Sequence, residues 1–164
     1  MQDILISHKD KIAFGSDTQA SIKMQGGGSA TNAAVWASTL NVEVGLVARI
    51  GDDNTGKIIL EELKRPNLNL NLVKTDAVSS GTCAILIDAT GERTMFPDPG
   101  ANIFLTSQDV PKEWFNQFNL IIGDEAHLFK AQSLTTILTS CVNTKYRIGL
   151  TGTLDGSKTH KLVL

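Results

Sequence analysis

Gly26-Gly27-Gly28-Ser29-Ala30-Thr31-Asn32 ends one kind of sequence pattern and begins another. Upstream, Asp17 to Met24 alternates, with Thr18, Ala20, Ile22 and Met24 on one face, which is the period-2 pattern of a half-exposed strand. Downstream, Ala30, Ala33, Ala34 and Ala37 with Val35, Trp36 and Leu40 form a closely packing helix, and Asn41 is a suitable stop. The glycines between have no side chains, so a small hydroxylated ligand can approach the main chain beside the unpaired N–H donors of the helix start. Asn32 carries both a donor and an acceptor and can read sugar hydroxyls. The same glycines also suit a tight strand-to-helix turn that binds nothing.

Beyond Asn41, Val42 to Ile50 is apolar enough for a buried strand. Asp52-Asp53-Asn54 can start a helix whose core side is Ile58, Ile59, Leu60 and Leu63, and Pro66 forbids its continuation. Strands are expected at 70–73, 82–88 and 92–96, the last two joined by the turn Ala89-Thr90-Gly91. A short helix at 110–115, a strand at 120–122, a helix at 131–141 and a strand at 147–150 complete the pattern. Strands alternating with helices predict an α/β fold with a largely parallel sheet and a separate antiparallel hairpin.

The chain has 164 residues, 41% hydrophobic and 20% charged, which suits one core of ordinary size. Its formal net charge of -2 provides no overall field to attract nucleic acid or an anionic membrane, so neither is an expected partner. No run approaches the roughly 20 apolar residues of a membrane span, and the N-terminal apolar run breaks too early for a secretory signal. Cys83 and Cys141 stand alone, without partners at metal-ligand spacing, so reduced thiols in a cytoplasmic protein are expected.

Two stretches suggest nucleotide chemistry. Gly51-Asp52-Asp53-Asn54-Thr55-Gly56-Lys57-Ile58 nearly spells a phosphate-binding loop, but Ile58 replaces the magnesium-binding hydroxyl and two aspartates would face the phosphates. A turn followed by a helix start is the better reading. Leu120-Ile121-Ile122-Gly123-Asp124-Glu125-Ala126-His127 sets two carboxylates after a buried strand, where Asp124 and Glu125 could hold Mg²⁺ and activate water. Acidic residues in a first helical turn would look the same.

Gly27-Gly28-x-x-x-Asn32, Arg49-Ile50-Gly51-Asp52-Asp53-x-x-Gly56, Gly91-Glu92-Arg93-Thr94 and Gly100-Ala101-Asn102 together resemble the PfkB or ribokinase-like carbohydrate kinases, across residues 1 to about 119. The resemblance implies an incomplete ribokinase-like three-layer parallel sheet with an antiparallel β lid over the sugar, built from 17–24 and 82–96, that often mediates homo-oligomers. It implies Asp3, at the end of a first strand mostly missing here, as a ligand for sugar hydroxyls beside Gly27, Gly28 and Asn32. Its substrates would be a small sugar or nucleoside and Mg²⁺-ATP. The family's Gly-Ala-Gly-Asp turn, which supplies the catalytic base and anion hole, has no counterpart, and Thr151-Gly152-Thr153-Leu154-Asp155-Gly156 is a poor imitation; the catalytic residues are therefore unassigned.

Residues 119–164 resemble motifs II and III of superfamily 2 DEAH helicases of the UvsW type, through Asp124-Glu125-Ala126-His127 and Gly149-Leu150-Thr151-Gly152-Thr153. That resemblance also implies Mg²⁺ and ATP, without the phosphate-binding strand or the second motor domain. The combined expectation is a chimera: a kinase-like portion at 1–118 and a helicase fragment at 119–164 packed on the same sheet. Sugar binding with catalysis incomplete is the leading function. An ATPase or DNA-binding fragment and an inactive self-associating scaffold are the alternatives.

Overall fold

The computed structural model describes residues 1–65, 67–123, 136–137 and 139–149. In chain order these form β1 (Gln2–His8), β2 (Ala20–Gly26), α1 (Ser29–Ser38), β3 (Val44–Gly51), α2 (Asn54–Glu62), β4 (Leu68–Thr75), β5 (Thr82–Ile87), β6 (Arg93–Asp98), β7 (Leu120–Gly123) and β8 (Tyr146–Gly149). The chain divides into two compact units. One comprises Met1–Gly28, Arg49–Pro66 and Leu72–Phe104; the other comprises Ser29–Ala48, Asn67–Asn71 and Leu105–Leu164.

The first unit is organised by a four-stranded sheet in the order β2-β1-β5-β6. β1 pairs antiparallel with β2, setting Asp3 opposite Gln25, and parallel with β5, setting Asp3 opposite Cys83. β5 and β6 then form the expected hairpin. Its turn is closed by Asp88, whose Oδ1 accepts from Thr90 N–H at 2.8 Å, Thr90 Oγ1 at 2.6 Å and Glu92 N–H at 3.1 Å. Gly91 completes the turn at φ +88°, where a side chain would be strained. Cys83 and Ile85 of β5 are buried, while β2 and β6 are exposed along their whole lengths.

The residue pattern did not disclose one strand of this sheet. β1 is seven residues long, lies inside the sheet, and carries Asp3 as its second residue, so it begins where the strand implied ahead of Asp3 would end. Ile4-Leu5-Ile6 is too short a run to show a period, and the partners that make it a strand lie far along the chain. The sheet is mixed, antiparallel at β1–β2 and β5–β6 with the parallel pair β1–β5 at its centre.

In the second unit α1 ends at Ser38, three residues before Asn41. Ser38 Oγ donates to Val35 O at 2.7 Å and Thr39 Oγ1 to Trp36 O at 2.6 Å, side-chain bonds that compete with helix propagation. Asn41 then reverses the chain at φ 57°, the left-handed conformation asparagine tolerates best among residues with a side chain. β3 and β4, each with residues in both units, pair, and the bonds Val44 N–H to Asn67 O at 2.9 Å and Asp52 N–H to Thr75 O at 2.7 Å keep the same offset at both ends, so the strands run parallel.

The helix expected at 110–115 is replaced by two 3₁₀ turns, Ser107–Asp109 and Lys112–Asn116. Pro111 is the cause: it disfavours helical geometry at the preceding residue, and Val110 is extended at ψ 122°. The second turn presents Trp114, which meets Phe118 edge-to-face at 5.5 Å. Both rings press on Gly45, where a Cβ would come within 2.8 Å of Trp114 and 2.9 Å of Phe118. β7 and β8 pair in parallel, Leu120 with Tyr146 through Gly123 with Gly149. The described residues within the helix expected at 131–141 are helical at 136–137 and 139–140.

Candidate functional site

Of the residues singled out as a site, Asp3 and Gly27 are in direct contact. The Gly27 N–H donates to Met1 O at 3.0 Å, which extends the β1–β2 ladder one step beyond β2 and carries the glycine alongside Asp3. A Cβ placed on Gly27 would overlap Oδ1, Cγ and Oδ2 of Asp3. Gly27 is buried and Asp3 half-buried. Gly28 follows at φ +96°, a left-handed step that turns the chain from β2 into α1. Asn32 is exposed on the first turn of α1, in the second unit.

Burial raises Asp3 above the usual carboxylate range. Across the parallel register, burial first and then the charge of Asp3 push the Cys83 thiol up, so it stays neutral. Asp3 thus stands half-buried beside glycine main chain, opposite Cys83 in the parallel register, with the positive N-terminus of Met1 partly offsetting the effect of burial. A half-buried carboxylate can accept hydrogen bonds from ligand hydroxyls with less competition from solvent than an exposed one.

Asp124 and Glu125, the expected metal ligands, lie outside the described residues. Among the described residues no group of three or more His, Cys, Asp or Glu side chains is placed to hold a metal ion. Among the described residues, no helix is long and apolar enough to cross a membrane.

The sequence reading missed a second cluster in the same unit. Asp53 caps α2 by accepting from Gly56 N–H at 2.7 Å, and it also holds Ser80, whose hydroxyl donates to Oδ1 at 2.7 Å and whose N–H donates to Oδ2 at 2.8 Å. Gly51 N–H donates to Ser80 Oγ at 2.9 Å. The stretch resembling a phosphate-binding loop is accordingly a capped helix start, its Gly51 and Gly56 N–H donors already bonded to Ser80 Oγ and Asp53 Oδ1. Asp53 was legible as a cap. Ser80 was not, because its partners are 27 and 29 residues away and no local pattern marks it.

Burial works to raise the Asp53 carboxyl, but the bonds from Ser80 and Gly56 outweigh it and hold the group below its usual range. A carboxylate depressed in the folded state stabilises the fold above its unfolded value of about 3.9, and that contribution is lost as pH falls through the folded value. Urea midpoints are expected to fall as pH drops below about 4, and Asp53→Asn should make that acid limb shallower. An unchanged acid limb in Asp53→Asn would remove Asp53 from the account.

Comparison with known proteins gives a consistent picture. The profile of the pfkB family carbohydrate kinases matches residues 5–144. A fructokinase of Klebsiella pneumoniae is 28% identical over 106 residues, covering 60% of this chain and 34% of the relative. A ribokinase of Dictyostelium discoideum is 34% identical over 90 residues, covering 54% and 28%. The ATP-dependent DNA helicase uvsW of enterobacteria phage T4 is 40% identical over 48 residues, covering 29% of this chain and 10% of the helicase. Among solved structures, ribokinase from Giardia lamblia superposes with TM-score 0.78 at 18% identity, covering 90% of this chain and 50% of that one. A carbohydrate kinase from Agrobacterium tumefaciens gives 0.72 at 18%, covering 92% and 50%. The fold is therefore the ribokinase-like α/β fold, of which the chain holds about half; it spans about a third of the length of the curated kinases it matches.

Proposed function

The chain belongs to the PfkB family of carbohydrate kinases, and from that membership we propose that it is the sugar-binding portion of a kinase that phosphorylates a sugar hydroxyl. The observation that carries the proposal is the packing of Asp3 against Gly27, which leaves a half-buried carboxylate beside bare main chain. Asp3 accepts from sugar hydroxyls, Gly27 and Gly28 allow the ring to approach, and Asn32 contributes a donor and an acceptor. The ligand class is a pentose, a hexose or a nucleoside. Mg²⁺-ATP is the phosphate source that the family implies. The exposed apolar residues Ile22, Met24 and Phe96, on the face of the sheet opposite Asp3, support a homo-oligomer.

A panel of pentoses, hexoses and nucleosides titrated against thermal unfolding tests this reading. Binding to the native state raises its apparent stability, by about 2.7 kcal/mol at a hundredfold excess over Kd. One sugar class is expected to shift the transition, and Asn32→Ala to abolish the shift. No shift with any member of the panel would sink the proposal.

A second reading rests on the 48-residue similarity to the phage helicase. It makes 119–164 a helicase fragment, with Asp124 and Glu125 as its metal ligands, and the chain a chimera. The kinase-family match runs through residue 144, past the junction this reading requires near 118. A stabilising shift with Mg²⁺-ATP alone that Glu125→Ala removes would favour the helicase reading. An ATP shift insensitive to that substitution would exclude it.

A further inference from the structure

The segment Ser79–Gly81 is held from several directions just before it enters β5. Ser80 is 2% exposed, and its hydroxyl and N–H both donate to Asp53 while its Oγ accepts from Gly51. On either side, Ser79 O accepts from Ala101 N–H at 2.9 Å and Gly81 O accepts from Gln2 N–H at 2.9 Å. The neighbouring main chain leaves no slack: a Cβ on Gly100 would lie 2.5 Å from Ser79 O, and one on Gly81 would lie 2.6 Å from Pro99 O. The Gly81–Gln2 bond is the first rung joining β5 to β1, one residue from Asp3, and the next residues in register are Thr82 with Gln2 and Cys83 with Asp3.

We infer that Ser80, held by Asp53, is a positioning residue for Asp3: the clamp fixes the start of β5, β5 fixes the register of β1, and β1 sets the carboxylate against Gly27. The inference rests on the reading of Asp3 as the sugar ligand. It goes beyond it by giving the Gly51–Gly56 stretch a part in ligand binding without ligand contact. The reason is geometric: Asp3 has one strand neighbour on each side, and among the described residues the β5 side is tied to a buried hydrogen-bonded cluster while β2 is exposed throughout. Releasing Ser80 frees the end of β5 nearest Asp3 and leaves the far end, at the Asp88 turn, in place.

The test is amide hydrogen exchange of the full chain, read by mass spectrometry without ligand, together with calorimetric titration of the best sugar from the panel. Both compare wild type with Ser80→Ala at a temperature where the variant is fully folded by circular dichroism. Losing these hydrogen bonds is expected to speed exchange in 2–8 and 82–87 about tenfold, with 29–38 unchanged, and to weaken sugar binding about tenfold. A folded variant with wild-type exchange in β1 and β5, or with wild-type affinity, overturns the inference. Should Ser80→Ala fail to fold, Asp53→Asn keeps the shape and removes one acceptor, and the same two readings apply with smaller effects. If wild type binds no sugar, the functional reading fails, and exchange alone decides whether the clamp controls β1.

Discussion

Gly27→Ala is expected to abolish sugar binding while leaving the protein folded. The φ of Gly27 lies outside the left-handed region, so alanine meets no backbone penalty there. The whole effect comes from one methyl group placed where the Asp3 carboxylate already sits. Either β2 moves away from β1 or the carboxylate swings off the glycine, and the second is easier because the Asp3 side chain is only half-buried. Overpacking of this kind costs about 1–3 kcal/mol of stability. The loss of affinity should be larger, about a hundredfold or more, since a displacement near 1 Å at a ligand-positioning group can cost that much. Calorimetry on the purified variant checks it. Wild-type affinity would show that Asp3 and Gly27 do not act together on the ligand.

Gly56→Ala carries the second large effect, and its sign runs against ordinary helix propensity. Gly56 lies in the first turn of α2, where replacing glycine by alanine at an unconstrained site would stabilise by about 1 kcal/mol. Here the added Cβ would overlap Gly51 O and lie 2.9 Å from Ser80 Oγ and 3.2 Å from Asp53 Oδ1. The first obstacle is main chain and cannot swing aside, and the others are the two side chains that bond each other. A net destabilisation of about 3 kcal/mol is expected, or roughly 6–12 °C in the thermal midpoint for a chain of this size. A midpoint equal to or above that of wild type would mean that the contact at Gly51 relaxes freely.

What the sequence disclosed and what it hid divide along the range of the interactions. The strand-to-helix change at Gly28, the Gly91 turn and the start of α2 at Asp53 are local, and the residue pattern displays each within a few positions. β1 was hidden because Ile4-Leu5-Ile6 becomes a strand only through β2 and β5, with β5 eighty residues downstream in register. The 3₁₀ turns at Ser107–Asp109 and Lys112–Asn116 turn on Pro111, whose effect on Val110 competes with an otherwise helical composition. At the site, the glycines and Asn32 were legible from residue type. Asp3 came only from its likeness to a family, since one aspartate near a chain start has no pattern of its own. The packing of Gly27 on Asp3 and the Ser80 clamp depend on strand register, which one sequence does not reveal.

The central claim is that Asp3 binds a sugar. Calorimetric titration of the best sugar from the panel into wild type and Asp3→Ala tests it most directly, because the substitution removes the carboxylate and leaves the glycines and Asn32 intact. The account predicts saturable binding to wild type and a loss of about a hundredfold or more in the variant, as expected when charge-assisted hydrogen bonds worth about 1.5–3 kcal/mol each are removed. Equal affinity in the two proteins, with both folded, would contradict it.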